Sequence, residues 1–169
     1  MGPGHLAVAF AAKPVASKVP LGVLLVASEA LDLMCFGFVA VGLEKFGVTQ
    51  TDLVHGIRIL VPGSIPWSHG LFMSLVWSGV AAAIAFLVYR DRRAGAILGL
   101  VVFSHWLLDF IVHPGELPLL FNGSPTVGLG LWASGPGLIL SGILEFVMLG
   151  GGLAIYLAAR KRTLPRAIA

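Results

Sequence analysis

The chain has 169 residues and a formal net charge of +3, from 11 Lys and Arg against 8 Asp and Glu with five His counted neutral. Hydrophobic residues make up 57% of it, charged residues only 11%, and mean hydropathy is +0.95. Soluble domains carry about 25% charged residues because water must solvate their surface, so this composition excludes a water-soluble globule and leaves a surface that faces lipid.

The first residues, Gly4 to Ala12, are apolar but too few to cross a bilayer, and no basic segment precedes them as in a secretory signal. They read as an interfacial or re-entrant arm. His5 on this arm is expected at the interface, and reaches the bundle only if the arm folds back.

Four stretches are long enough to cross a hydrocarbon core of about 30 Å, which takes roughly 20 helical residues. Val19 to Leu43 is the first, with Glu29 and Asp32 on one face. It also holds the one cysteine, Cys35, so an intrachain disulfide and a thiolate zinc site are both excluded. A long connection follows, in which His55, Asp52 and Arg58 read as solvated. The second span, Pro66 to Tyr89, opens with Trp67, Ser68 and His69. The tight turn Arg90 to Arg93 joins it to the third span, Ala94 to His113, as an antiparallel hairpin. Gly95 and Gly99 give that third helix a small face which a neighbour can approach closely. At 100° per residue, His105, Asp109 and His113 fall within about 80° of arc and can face one cavity. His105 and Asp109 can chelate one ion, whereas His113 lies about 12 Å further along the axis, too far for the same ion in a straight helix. Pro114 ends the span, and a second long connection carries Glu116 and Trp132. The fourth span, Pro136 to Ala159, places Ser141 and Glu145 on one face, and its Gly150 to Gly152 run suits a kink or a close helix contact. The expected fold is all-α, a single transmembrane domain over residues 1–169 built as a four-helix bundle.

Orientation follows from Lys and Arg, which are enriched in cytoplasmic flanks. Lys13, Lys18, Arg90, Arg92, Arg93, Arg160, Lys161, Arg162 and Arg166 fall on the side of both termini, against Lys45 and Arg58 on the other. Both termini are therefore expected in the cytoplasm. Trp67 and Trp132 then lie near the outer boundary, as belt residues do. These basic clusters beside apolar segments suit phospholipid headgroups, so the partner is the lipid bilayer and no nucleic acid is expected.

Four acids, Glu29, Asp32, Asp109 and Glu145, lie within the spans. A carboxylate at bilayer centre costs roughly 2.5–3.5 kcal/mol on insertion scales, so these groups should share partners, and His69, His105 and His113 are at hand. Counted inward from the span ends, Glu29, Asp32, His105, Asp109 and Glu145 reach the middle or outer half of the membrane, with His69 above them. His and Asp one helical turn apart have metal-ligand spacing. An ion or proton transport subunit, necessarily a homo-oligomer with so few spans, would use the same groups, and a structural membrane subunit would bury them as interhelical glue.

Pro66-Trp67-Ser68-His69-Gly70 followed by Ser104-His105-Trp106-Leu107-Leu108-Asp109 resembles the membrane-bound metal-dependent hydrolases of the YdjM-like bacterial inner-membrane family. Within it, the likeness is to a subgroup of small proteins, through His113-Pro114-Gly115-Glu116-Leu117-Pro118-Leu119 and Gly128-Leu129-Gly130-Leu131-Trp132, with further similarity at Gly4 to Val8 and Ala30 to Leu33. Gly70 stands where the family usually has Ser, Glu116 where it has Asp, and the family's His-Arg pair is missing before the motif. The resemblance implies a divalent metal held by Asp32, His69, His105 and Asp109, and hydrolysis of a lipid substrate in the bacterial cytoplasmic membrane. Oxygen and nitrogen donors suit Zn²⁺, while Mn²⁺ and Fe²⁺ accept the same set. Glu145 or Glu29 is then the candidate general base for a metal-activated water, and His113, Ser68 and Glu116 are candidates for binding the polar part of a lipid ester or phosphoester.

Overall fold

A computed structural model of the chain describes residues 2–48 and 60–163. His55, Asp52, Arg58 and Arg166 lie outside these residues. Among the described residues seven α-helices dominate: α1 (Gly4–Ala12), α2 (Leu21–Ser28), α3 (Ala30–Ala40), α4 (Pro66–His69), α5 (Leu71–Tyr89), α6 (Arg92–Val112) and α7 (Gly135–Thr163). Two small antiparallel pairs accompany them, β1 (Lys45–Val48) with β2 (Leu60–Ser64) and β3 (Leu117–Pro118) with β4 (Thr126–Val127). These pairs occupy the two long connections, where no regular structure was expected. Three helices, α5, α6 and the α7 stretch, are long and apolar enough to cross a membrane, and α2 with α3 makes a fourth if a bent pair counts as one span.

The bend is the main departure from the expected helices. Val19 to Leu43 is two short helices meeting at 56°, not one continuous span. Neither Gly nor Pro lies at the break. Instead Ser28 turns its hydroxyl back to the Leu25 carbonyl at 2.9 Å, a local bond that bends helices, and Glu29 leaves helical geometry at φ −100°, ψ 6°. The second span is likewise divided, because Gly70 is extended at φ −65°, ψ 139° and separates the Pro66–His69 turn from α5. The fourth runs longer than expected, from Gly135 to Thr163.

The central helix is α6. Half of its most apolar stretch is buried inside the molecule, against 22% for α5 and 17% for α7, whose Ile84, Leu87, Val88, Ile139, Phe146 and Val147 point outward. Apolar burial gives no driving force between helices in lipid, so close packing must. α6 packs on α5 through the expected glycine face. A Cβ on Gly95 would come within 2.8 Å of the Ala82 carbonyl oxygen, and one on Gly99 within 2.9 Å of that of Ser78, so the two backbones approach as only glycine permits. Asp91 caps the start of α6 by accepting hydrogen bonds from the Arg93 and Ala94 N–H groups, after Arg90 turns the chain at φ 49°.

The N-terminal arm folds back into the molecule. α1 lies inside the molecule against α7, α2 and α6, with Ala7 and Ala9 buried. A Cβ on Gly152 would collide with the backbone of Ala7, so the Gly150 to Gly152 run is a close helix contact with α1. Lys13 then closes the turn into α2, donating from Nζ to the carbonyls of Ser17 and Val19, both at 2.9 Å.

Candidate metal centre

Five side chains from four elements converge between α1, α3, α4 and α6. His105 and Asp109 lie one turn apart on α6 and present Nε2 and Oδ2 to each other at 3.3 Å. His69, the last residue of α4, places its Nε2 3.5 Å from the same oxygen and 3.2 Å from Asp32 Oδ1 on α3. His105 Nε2 is also 3.5 Å from Asp32 Oδ1. Two ligands of one ion at about 2.0–2.2 Å stand this far apart, so the nitrogen–oxygen separations fit a shared cation.

His5 joins the group, contrary to its expected place at the interface. The folding-in of α1 buries it completely, stacks its ring on His105 with centroids 3.6 Å apart, and sets its Nε2 3.2 Å from Asp109 Oδ1. The donors form two overlapping sets that share His105. Donor atoms of His69, His105 and Asp109 lie within 4.8 Å of one another, and those of His5, Asp32 and His105 do likewise. His69 and His105 Nε2 each face both Asp32 and Asp109, and His5 adds a fifth donor to the group.

The proton on one ring nitrogen follows from its partner. His105 Nδ1 lies 2.7 Å from the carbonyl oxygen of Ser28, which only accepts, so Nδ1 carries the hydrogen and donates it. That carbonyl is available because α2 ends there, and the last carbonyls of a helix lack intrahelical donors. With Nδ1 committed to that carbonyl, Nε2 is the nitrogen that faces the two carboxylate oxygens. Nε2 makes no hydrogen bond, and neither do the two ring nitrogens of His5, among the described residues. Buried polar atoms are nearly always paired. Two carboxylates against ring nitrogens inside an apolar shell call for positive charge between them, and the residues present supply the nitrogen and oxygen donors that a divalent ion takes.

The cluster is sealed except at one place. The side chains of His5, His105, Asp109 and His69 are 0–5% exposed, while that of Asp32 is 41% exposed. Behind the cluster, Trp106 donates from Nε1 to the His69 carbonyl at 2.9 Å and ties α4 to α6.

No family model, curated protein or solved structure matches the chain. The geometry alone therefore carries the site.

The other expected site residues are distributed around this centre. Glu29 lies at the break between α2 and α3, three residues before Asp32, with its Oε1 buried and without a hydrogen bond among the described residues. Glu145 is buried on α7, where its Oε2 would be 3.5 Å from a Cβ on Gly2, and neither donor set includes it. Ser141, below it on the same face, receives the Trp132 Nε1 hydrogen at 2.9 Å. His113 ends α6 against the ring of Trp132, centroids 4.9 Å apart, and Glu116 follows in the next loop. Ser68 is fully buried and turned inward, its hydroxyl 2.7 Å from Glu44 Oε2 and 2.8 Å from His69 Nδ1. Glu44 was not anticipated as part of the site. It directly follows the expected end of the first span, and 24 residues separate it from Ser68, so no periodicity or motif joins the two.

Proposed function

We propose that the chain is a multi-pass, YdjM-like hydrolase of the bacterial cytoplasmic membrane that cleaves a lipid ester or phosphoester with a divalent metal, Zn²⁺ foremost. The observation that carries this reading is the arrangement of His69 and His105 Nε2 against the carboxylates of Asp32 and Asp109 in a buried site. His105 offers one lone pair, since its Nδ1 is committed to Ser28, so the two donor sets share a single ion rather than hold two. An ion there supplies Lewis acidity and activates water for attack near neutral pH. The remaining tasks fall to the chain. Asp32, the exposed donor, marks the side from which substrate and water approach. Glu29, at the helix break three residues before it, would be the carboxylate that accepts a proton from the attacking water. His113 and Glu116 would hold the polar part of the substrate while its tails remain in the bilayer. Outward-facing apolar residues on α5 and α7 suit contact with lipid, from which the substrate would come.

Protein purified in mild detergent is expected to retain one divalent ion per chain and to turn over a phospholipid ester or phosphoester. Chelation and His105→Ala should each abolish turnover. Metal retention without any lipid hydrolysis, combined with ion flux in proteoliposomes, would overturn the reading in favour of transport.

A further inference from the structure

The ring of His69 has no carbonyl behind it, unlike that of His105, yet its proton must be placed just as firmly for Nε2 to serve as a ligand. We propose that Glu44 is the positioning residue that fixes the tautomer of His69, acting through the Ser68 hydroxyl, and so keeps the His69 lone pair on the metal side. The inference rests on the metal reading above and adds to it a residue outside the donor sets.

Glu44 is 1% exposed and is held by the end of α3. Gly42, at φ 77°, reverses the chain after that helix, and the N–H groups of Leu43 and Glu44 both return to the Phe38 carbonyl. The carboxylate then meets the start of α4. Its Oε1 accepts the backbone N–H groups of Trp67 and Ser68, each at 2.8 Å, and its Oε2 accepts the Ser68 hydroxyl at 2.7 Å. Pro66 at the first position of α4 has no N–H to offer, so Glu44 takes the next two free donors of that short helix.

The Ser68 hydroxyl has one hydrogen. Having given it to Glu44, the oxygen can only accept at its other contact, 2.8 Å away at His69 Nδ1. Nδ1 must therefore carry a ring hydrogen, which leaves Nε2, facing Asp32 and Asp109, as the nitrogen free to take a metal. Second partners that orient ligand imidazoles are worth about 10–100-fold in metal affinity.

Glu44→Gln tests the relay with little change in shape. The amide oxygen can still accept the two backbone N–H groups, but the amide nitrogen now donates to Ser68. The serine hydroxyl then turns to His69 Nδ1 and moves the ring hydrogen to Nε2, against the metal position. In metal-free protein, ¹⁵N resonances of labelled histidine, assigned against His69→Gln, should show Nδ1 of His69 protonated in the wild type and Nε2 protonated in the variant. Titration with Zn²⁺ alone should give a 10–100-fold weaker Kd for Glu44→Gln. Wild-type protein with its hydrogen on Nε2, or a variant with unchanged tautomer and unchanged Kd, would overturn the proposal. Should Glu44→Gln fail to fold, Ser68→Ala decides: it keeps the Glu44 bonds to the α4 backbone and removes only the relay. Mixed His69 tautomers and a weaker Kd support the relay, and wild-type values for both overturn it. The ring proton is read without metal and Kd without turnover, so an inactive but metal-binding protein would end the hydrolase reading and leave this one standing.

Discussion

Asp109 meets all three cluster histidines, with His5 on one oxygen and His69 and His105 on the other. Without an ion it is a buried carboxylate in an apolar shell, which is costly; with one it is a ligand. Asp109→Asn keeps the shape and removes the charge. The metal-free variant is expected to melt at or above the wild-type temperature, while the rise in Tm that Zn²⁺ gives the wild type disappears, since only a ligand bound to the native state raises Tm. Thermal scans with and without Zn²⁺ check both signs. Charge inside a hydrophobic run made the acids and histidines of the spans legible in the sequence, but it marked Glu29 and Glu145 as strongly as Asp32 and Asp109, and neither donor set includes those two. His5 was legible only as a conditional member, because nothing in Gly4 to Ala12 says that the arm turns inward until Gly152 is seen to admit it. Glu44 was hidden for a different reason, its link to His69 being a single hydroxyl hydrogen.

Among the elements, α1 and the α2–α3 break do most to assemble the centre, and a 3.6-residue period reveals neither. α1 delivers His5 through the contact of Ala7 with Gly152. Gly152→Val should push α1 away and withdraw His5, weakening Zn²⁺ binding severalfold while α5 and α6 stay paired; Zn²⁺ titration beside far-ultraviolet circular dichroism measures the two effects. The break frees the Ser28 carbonyl for His105, so the irregularity that spoils a continuous span is what orients a ligand. At the opposite end of α6, the Lys18 ammonium, 2.9 Å from Asp91, holds that carboxyl below its usual range, with the Ala94 and Arg93 N–H groups acting in the same direction. A carboxylate lowered in the folded state stabilises it above the unfolded value of about 3.9 and loses this contribution as pH falls through the folded value. Asp91→Asn should therefore lower Tm at neutral pH and match the wild type in strong acid, as Tm measured across pH will report.

At the level of the whole molecule, composition alone indicated lipid and four candidate crossings, and three helices meet that length and apolarity without qualification. The number of crossings turns on α2 and α3. If the bent pair traverses the bilayer, both ends of the chain lie on one side, as the distribution of Lys and Arg implies; if it dips in and returns, they lie on opposite sides. Reporter fusions at each end are expected to place both in the cytoplasm, and opposite placement would make the pair re-entrant. Because Asp32 is the one cluster donor with substantial exposure, an ion bound there would be expected to enter and leave on the α3 side. Bulk added there, beside Leu33 or Phe36, would slow capture and escape in equal proportion, so that the protein could hold its metal against a strong chelator for hours with no change in equilibrium affinity.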